Sequence, residues 1–136
     1  MTLLQTIQAI EAAARMQPSV AMIVPNDVFR LNATPDARYG VFAWTQRQHA
    51  GDVDGDFHRF AFSLFYVDRL TADKANEVEI QSVGIQTLEA VLRELRDRGI
   101  FPVDGYTFDT FNQRFEDECA GVWCSVTFQV PVSPLC

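Results

Sequence analysis

His49, Asp52, Asp54, Asp56 and His58 place five potential metal ligands within ten residues, the densest set of chemistry-bearing side chains in the sequence. Asp52-Val53-Asp54-Gly55-Asp56 matches the opening of a calcium-binding EF-hand loop, whose first, third and fifth positions supply oxygen ligands. The second half departs from that pattern. The sixth position, where a glycine makes the sharp turn, is Phe57, and the twelfth, where a glutamate binds through both oxygens, is Ser63. A transition metal can use His49 and His58 with one aspartate, but both histidines fall at strand ends rather than on an ordered scaffold. The expectation is a solvated hairpin tip that binds no metal, set against the alternative of a metal-dependent enzyme at Asp52–Asp56.

Other reactive arrangements are thin. There is no G-x-S-x-G elbow, no cysteine close in sequence to a histidine, and neither G-x-G-x-x-G nor G-x-x-x-x-G-K-[ST] to cradle a nucleotide. Glu116-Asp117-Glu118 can in principle serve acid–base chemistry, although consecutive acids more often mark a solvated turn. Asp68-Arg69 reads as a strand end turning toward the next helix, with Arg69 reaching a neighbouring carboxylate. Cys119 and Cys124 lie five positions apart on one strand, spanning roughly 16 Å with side chains on opposite faces, too far for a disulfide. With Cys136 they make an odd count of three, and all are read as reduced thiols in a chain made in a reducing cytosol. No catalytic residue and no cofactor is expected.

The elements that position these residues follow from periodicity. Thr2 caps a first helix whose stripe is Leu3, Ile7, Ile10 and Ala14, and Pro18 ends it. Val20 to Val24 is a short buried strand, and Pro35-Asp36 a turn. Tyr39 to Thr45 and His58 to Asp68 form antiparallel neighbours joined through the Gly- and Asp-rich Gly51–Asp56; His58, Phe60, Phe62, Leu64 and Tyr66 share one face. A second helix carries Ile85, Leu88, Leu92 and Leu95, with a capping box from Asn76 and Glu79, Gly99 after its last turn, and the i,i+4 pairs Glu89–Arg93 and Glu94–Arg98. Tyr106 to Phe111 and Val122 to Val130 supply two more strands, closed by Pro131 and Pro134.

This order, α-β-β-β-α-β-β, predicts one α+β domain over residues 1–136: an antiparallel sheet of about five strands with two helices mainly on one face. The length of 136 residues and the hydrophobic share of 48% suit a single core. The start Met1-Thr2-Leu3-Leu4-Gln5 lacks the basic and apolar regions of a signal peptide, and no apolar run reaches the ~18 residues of a membrane span, so neither export nor membrane anchoring is expected. A formal charge of −7 disfavours tight binding of nucleic acid while allowing a duplex to slide past. Phe65, Val67, Phe111 and Trp123 fall opposite the apolar set of their strands, where one helical layer cannot cover them; they are the candidate subunit contacts.

The element order, together with Phe115-Glu116-Asp117-Glu118-Cys119-Ala120-Gly121-Val122-Trp123 leading into an alternating strand, resembles the tail-completion or tail-terminator proteins of tailed phages. Asn26-Asp27-Val28-Phe29-Arg30-Leu31-Asn32, Leu64-Phe65-Tyr66-Val67-Asp68-Arg69-Leu70 and Phe115 to Val122 are similar to short proteins encoded among the structural genes of phages infecting gut Bacteroidales. The resemblance implies a virion structural protein, made in the host cytoplasm. It would form a homo-oligomeric ring, six-fold or at most twelve-fold, in the neck or at the head-proximal end of the tail. Its implied partners are copies of itself, other neck or tail proteins and DNA in transient, non-specific passage, with no membrane. Asp52, Asp54 and Asp56 would line the channel. Two strands after the second helix, where that family usually has one, is a departure. A small cytosolic binding module is the alternative.

Overall fold

The computed structural model describes residues 1–26, 39–71, 73, 75–114 and 118–132. The Pro35-Asp36 turn, the stretch 27–32, Phe115-Glu116-Asp117, Pro134 and Cys136 lie outside the described residues.

Helix α1 (Leu3–Arg15) opens with a full capping box: the Gln5 N–H donates to Thr2 Oγ1 at 3.1 Å and the Thr2 N–H to Gln5 Oε1 at 2.9 Å. After it come β1 (Met22–Val24), β2 (Val41–Gln46), the two-residue β3 (Ala50–Gly51) and the long β4 (Phe57–Arg69). Helix α2 (Glu77–Asp97) leads to β5 (Phe101–Arg114) and β6 (Glu118–Pro131). The class is α+β, as the periodicity predicts. Among the described residues, no helix is long and apolar enough to cross a membrane.

The sheet runs β1-β2-β4-β6-β5, with β3 paired to β4 beside this path. It has six strands rather than five and is mixed, because β1 pairs parallel to β2 while the other pairs are antiparallel. Parallel neighbours need a connection of about a dozen residues or more, and sixteen separate Val24 from Val41. β5 begins at Phe101 rather than Tyr106: the ladder slips between Val103 and Thr107, where Asp104 and Gly105 have φ of 60° and 77°. That irregularity breaks the alternation from which the strand's start would be read.

The helices lie on one face. Phe42, Phe60, Phe62, Leu64 and Tyr66 from β2 and β4 join Val122, Cys124, Val126 and Phe128 from β6, and pack against Ile10, Ala13, Leu88, Val91, Leu92 and Leu95. Gly84 lets α2 settle onto the sheet, since a β-carbon there would stand 3.0 Å from Val122 Cγ2 and 3.1 Å from Tyr66 Cδ1. The far end of α2 closes with paired hydrogen bonds, Ile100 N–H to the Leu95 carbonyl at 2.9 Å and Gly99 N–H to the Arg96 carbonyl at 3.0 Å. Gly99 at φ 86° takes the left-handed position such an ending requires. The expected Asn76 capping box does not form. With φ −94° and ψ 10°, Asn76 instead turns its amide back, accepting from the Thr71 N–H at 2.9 Å and donating to the Arg69 carbonyl at 3.2 Å.

Candidate functional site

The hairpin joining β3 to β4 is an exposed tip. Asp52, Val53, Asp54, Gly55 and Asp56 are all exposed, and the turn is fixed by the backbone: Asp52 N–H donates to the Phe57 carbonyl and Gly55 N–H to the Asp52 carbonyl, both at 3.0 Å. Gly55 supplies the left-handed φ of 75°.

The two histidines do not turn toward the tip. His49 Nδ1 accepts the Ala61 N–H at 3.2 Å, which assigns the proton to Nε2, facing Gln46 Oε1 at 3.1 Å. Its ring stands edge-on to Phe60 at 5.3 Å and tilts against Phe62 at 5.6 Å; burial lowers its pKa. His58 packs edge-on to Phe60 at 5.3 Å. Among the described residues, no three His, Cys, Asp or Glu side chains come together in a way that can hold a metal. The five residues that are close in sequence thus separate into an acidic tip and two histidines packed against Phe60.

Cys119 and Cys124 are buried on opposite faces of the sheet, Cys124 in the main core and Cys119 beside Val24, Val41, Ala43 and Val67. Burial pushes the Cys124 thiol up to about 11, so it carries almost no thiolate near neutral pH. Asp68 accepts the Arg69 N–H at 2.8 Å, and the Arg69 guanidinium lies over the Tyr39 ring at 5.0 Å. Tyr66, whose hydroxyl is 3.5 Å from Asp68 Oδ2, is pushed up to about 12, by burial first and by the Asp68 charge second.

Strand register brings the sequence-predicted contact residues together on the face away from the helices. Phe65 pairs with Trp123, and Val67 with Gly121, which in turn pairs with Phe111. The Phe65 and Trp123 rings stack, with centroids 6.2 Å apart and planes 24° from parallel. Both are half-buried, as is Phe111. Val67 is different. It is 0% exposed, enclosed by its own chain with Val24, Val41, Ala43 and Cys119, and so cannot touch a neighbouring subunit.

Beside the stack runs a row of hydroxyls, Thr45, Ser63, Ser125 and Thr107, each paired with the next across the sheet. Further along the same face Phe101 is 51% exposed opposite Gln129, and Phe57 is 38% exposed opposite Pro131. Sequence reasoning missed these two aromatics by starting their strands at Tyr106 and His58. Phe57-His58-Arg59-Phe60 carries no alternating signal, because its two aromatics stand three positions apart and so on opposite faces. An aromatic centre bordered by polar groups has the anatomy of a surface that meets another macromolecule.

Comparison with models of known protein families and with curated proteins finds no match to this sequence.

Proposed function

We propose that this chain is a structural subunit that assembles with copies of itself into a ring at the neck, or head-proximal tail end, of a tailed phage, joining head to tail and lining the DNA channel. The observation that carries the reading is the stacked Phe65–Trp123 pair, half-exposed on the sheet face that the helices leave uncovered. Desolvated aromatic anchors of this kind carry much of the binding energy between protein surfaces. The sequence resemblance supplies the location, and the formal charge of −7 suits a lumen past which DNA slides without sticking.

Sedimentation of the purified protein tests this. The wild type is expected as a discrete particle of several copies, six in the simplest case, and Trp123→Ala, with unchanged circular dichroism, as smaller species. Loss of one central aromatic anchor typically costs about 2 kcal/mol or more at each contact. A wild type that stays monomeric at every concentration removes the reading.

A further inference from the structure

We propose that the outer edge of β5, from Thr107 to Gln113, pairs antiparallel with the same edge of a second copy of this chain, about a two-fold axis passing through Thr110. The inference goes beyond the ring reading and does not depend on it.

Among the described residues the path of the sheet ends in β1 and β5, and the two-residue β3, paired only to β4, is a third and very short edge. An edge presents unpaired N–H and C=O groups, which proteins ordinarily blunt with short strands, proline, charge or bulges. β1 is blunted: three residues long, it runs into Pro25 and then Asn26 at φ 62°. The first half of β5 is blunted as well, by Pro102 and by the irregular stretch at Asp104 and Gly105. Its second half is not. Thr107-Phe108-Asp109-Thr110-Phe111-Asn112 holds no proline, glycine or lysine and one charge, and Thr107, Asp109, Thr110 and Asn112 are exposed. Among the described residues, β6 is the strand neighbour of this segment and no other main-chain group bonds to it.

Geometry then selects the occupant. Bringing two copies of one edge together antiparallel requires a two-fold axis normal to the sheet, which keeps both helical layers on one side. Paired residues must therefore face the same side, and each register is centred on a residue. Centring on Asp109 sets two carboxylates directly opposite each other, which is unfavourable. Centring on Thr110 sets hydroxyl against hydroxyl, Asp109 against Phe111 and Phe108 against Asn112. It also uses the regular ladder from its resumption at Thr107, which meets Gln113. The segment is complementary to itself in this register, and closure about the two-fold leaves only the blunted β1 edges at the ends of the joined sheet.

Two substitutions test the pairing, read by sedimentation and by oxidative cross-linking in a Cys136→Ser background. Thr110→Lys puts two ammonium groups face to face and is expected to lower the particle mass at least two-fold while the thermal midpoint stays near that of the wild type. Thr110→Cys is expected to give a covalent two-chain product on oxidation. Asn112→Cys is expected to give none, because four residues of offset place it about 14 Å from its copy, beyond the ~7 Å reach of a disulfide. A two-copy wild-type particle that Thr110→Lys splits supports the edge pairing while removing the ring. A ring that keeps its mass in Thr110→Lys, with no Thr110→Cys product, removes the edge pairing and leaves the ring. Equal cross-linking at both positions also overturns the proposal. So does a wild type that is monomeric at every concentration. If Thr110→Lys fails to fold, the contrast between the two cysteine variants decides the matter alone.

Discussion

His49 is held as a neutral ring, because its Nδ1 accepts a backbone N–H and so has no room for a second proton. Burial acts in the same direction and lowers its pKa from the ordinary 6.5. The unfolded chain takes up that proton more readily than the folded one. The stabilisation tied to neutral His49 is therefore complete above pH 6.5 and declines as the pH falls toward the lower folded value. Urea denaturation between pH 7 and pH 5 is expected to show a shallower loss of stability in His49→Gln than in the wild type; equal slopes would place the acid sensitivity elsewhere. Gly121 works by size instead. A β-carbon there would run into the Tyr66 carbonyl and stand 2.7 Å from Phe111 Cζ, so Gly121→Ala must displace both the β4 backbone and a half-buried aromatic. The expected cost is about 1–3 kcal/mol by chemical denaturation. A neutral Gly121→Ala would show that the β4 backbone and Phe111 both give way freely.

Among the elements, α2 is the one whose loss would open the core, since Leu88 and Leu92 are buried against the sheet at its middle. Leu88→Ala or Leu92→Ala is expected to destabilise the fold by about 2–5 kcal/mol, the ordinary cost of removing a buried leucine side chain. Less than 1 kcal/mol at both positions, measured by urea titration, would move the core away from this stripe. The same helix shows why some elements were legible in the sequence. Leu88, Leu92 and Leu95 recur at helical spacing, and Gly99 stops the helix by a local rule, so both readings needed only neighbours in sequence. Asn76 defeated the same method because its amide serves Thr71 and the end of β4 rather than the first turn of α2. The parallel β1–β2 pair was missed for a related reason: direction is set by the path of the connecting chain, and an apolar run such as Met22-Ile23-Val24 carries no mark of it. At the candidate surface, alternation placed Phe65, Val67, Phe111 and Trp123 on one face. Burial, which separates Val67 from the other three, depends on strands that only the fold brings near.

At the scale of the whole molecule, the proposed ring gives the acidic tip and the aromatic face separate tasks, and substitution can tell them apart. Asp52, Asp54 and Asp56 are exposed at the turn between β3 and β4, while Phe65 and Trp123 lie on the sheet face itself. In the proposed ring the tips line the lumen and the aromatics meet neighbouring subunits. DNA moving through such a lumen must find no strong, salt-dependent contact, because each neutralised phosphate adds to the affinity and would stall the duplex. Replacing the three aspartates with asparagine changes the formal charge from −7 to −4 and leaves the turn-forming backbone bonds of the tip in place. The expected outcome is an intact particle of wild-type mass that retains more duplex DNA at low salt than the wild type does, with the difference vanishing as salt is raised. Filter binding across a salt series measures it. A triple variant that no longer assembles would put the hairpin at a subunit contact, and one that assembles with unchanged DNA retention would take the tip out of the lumen.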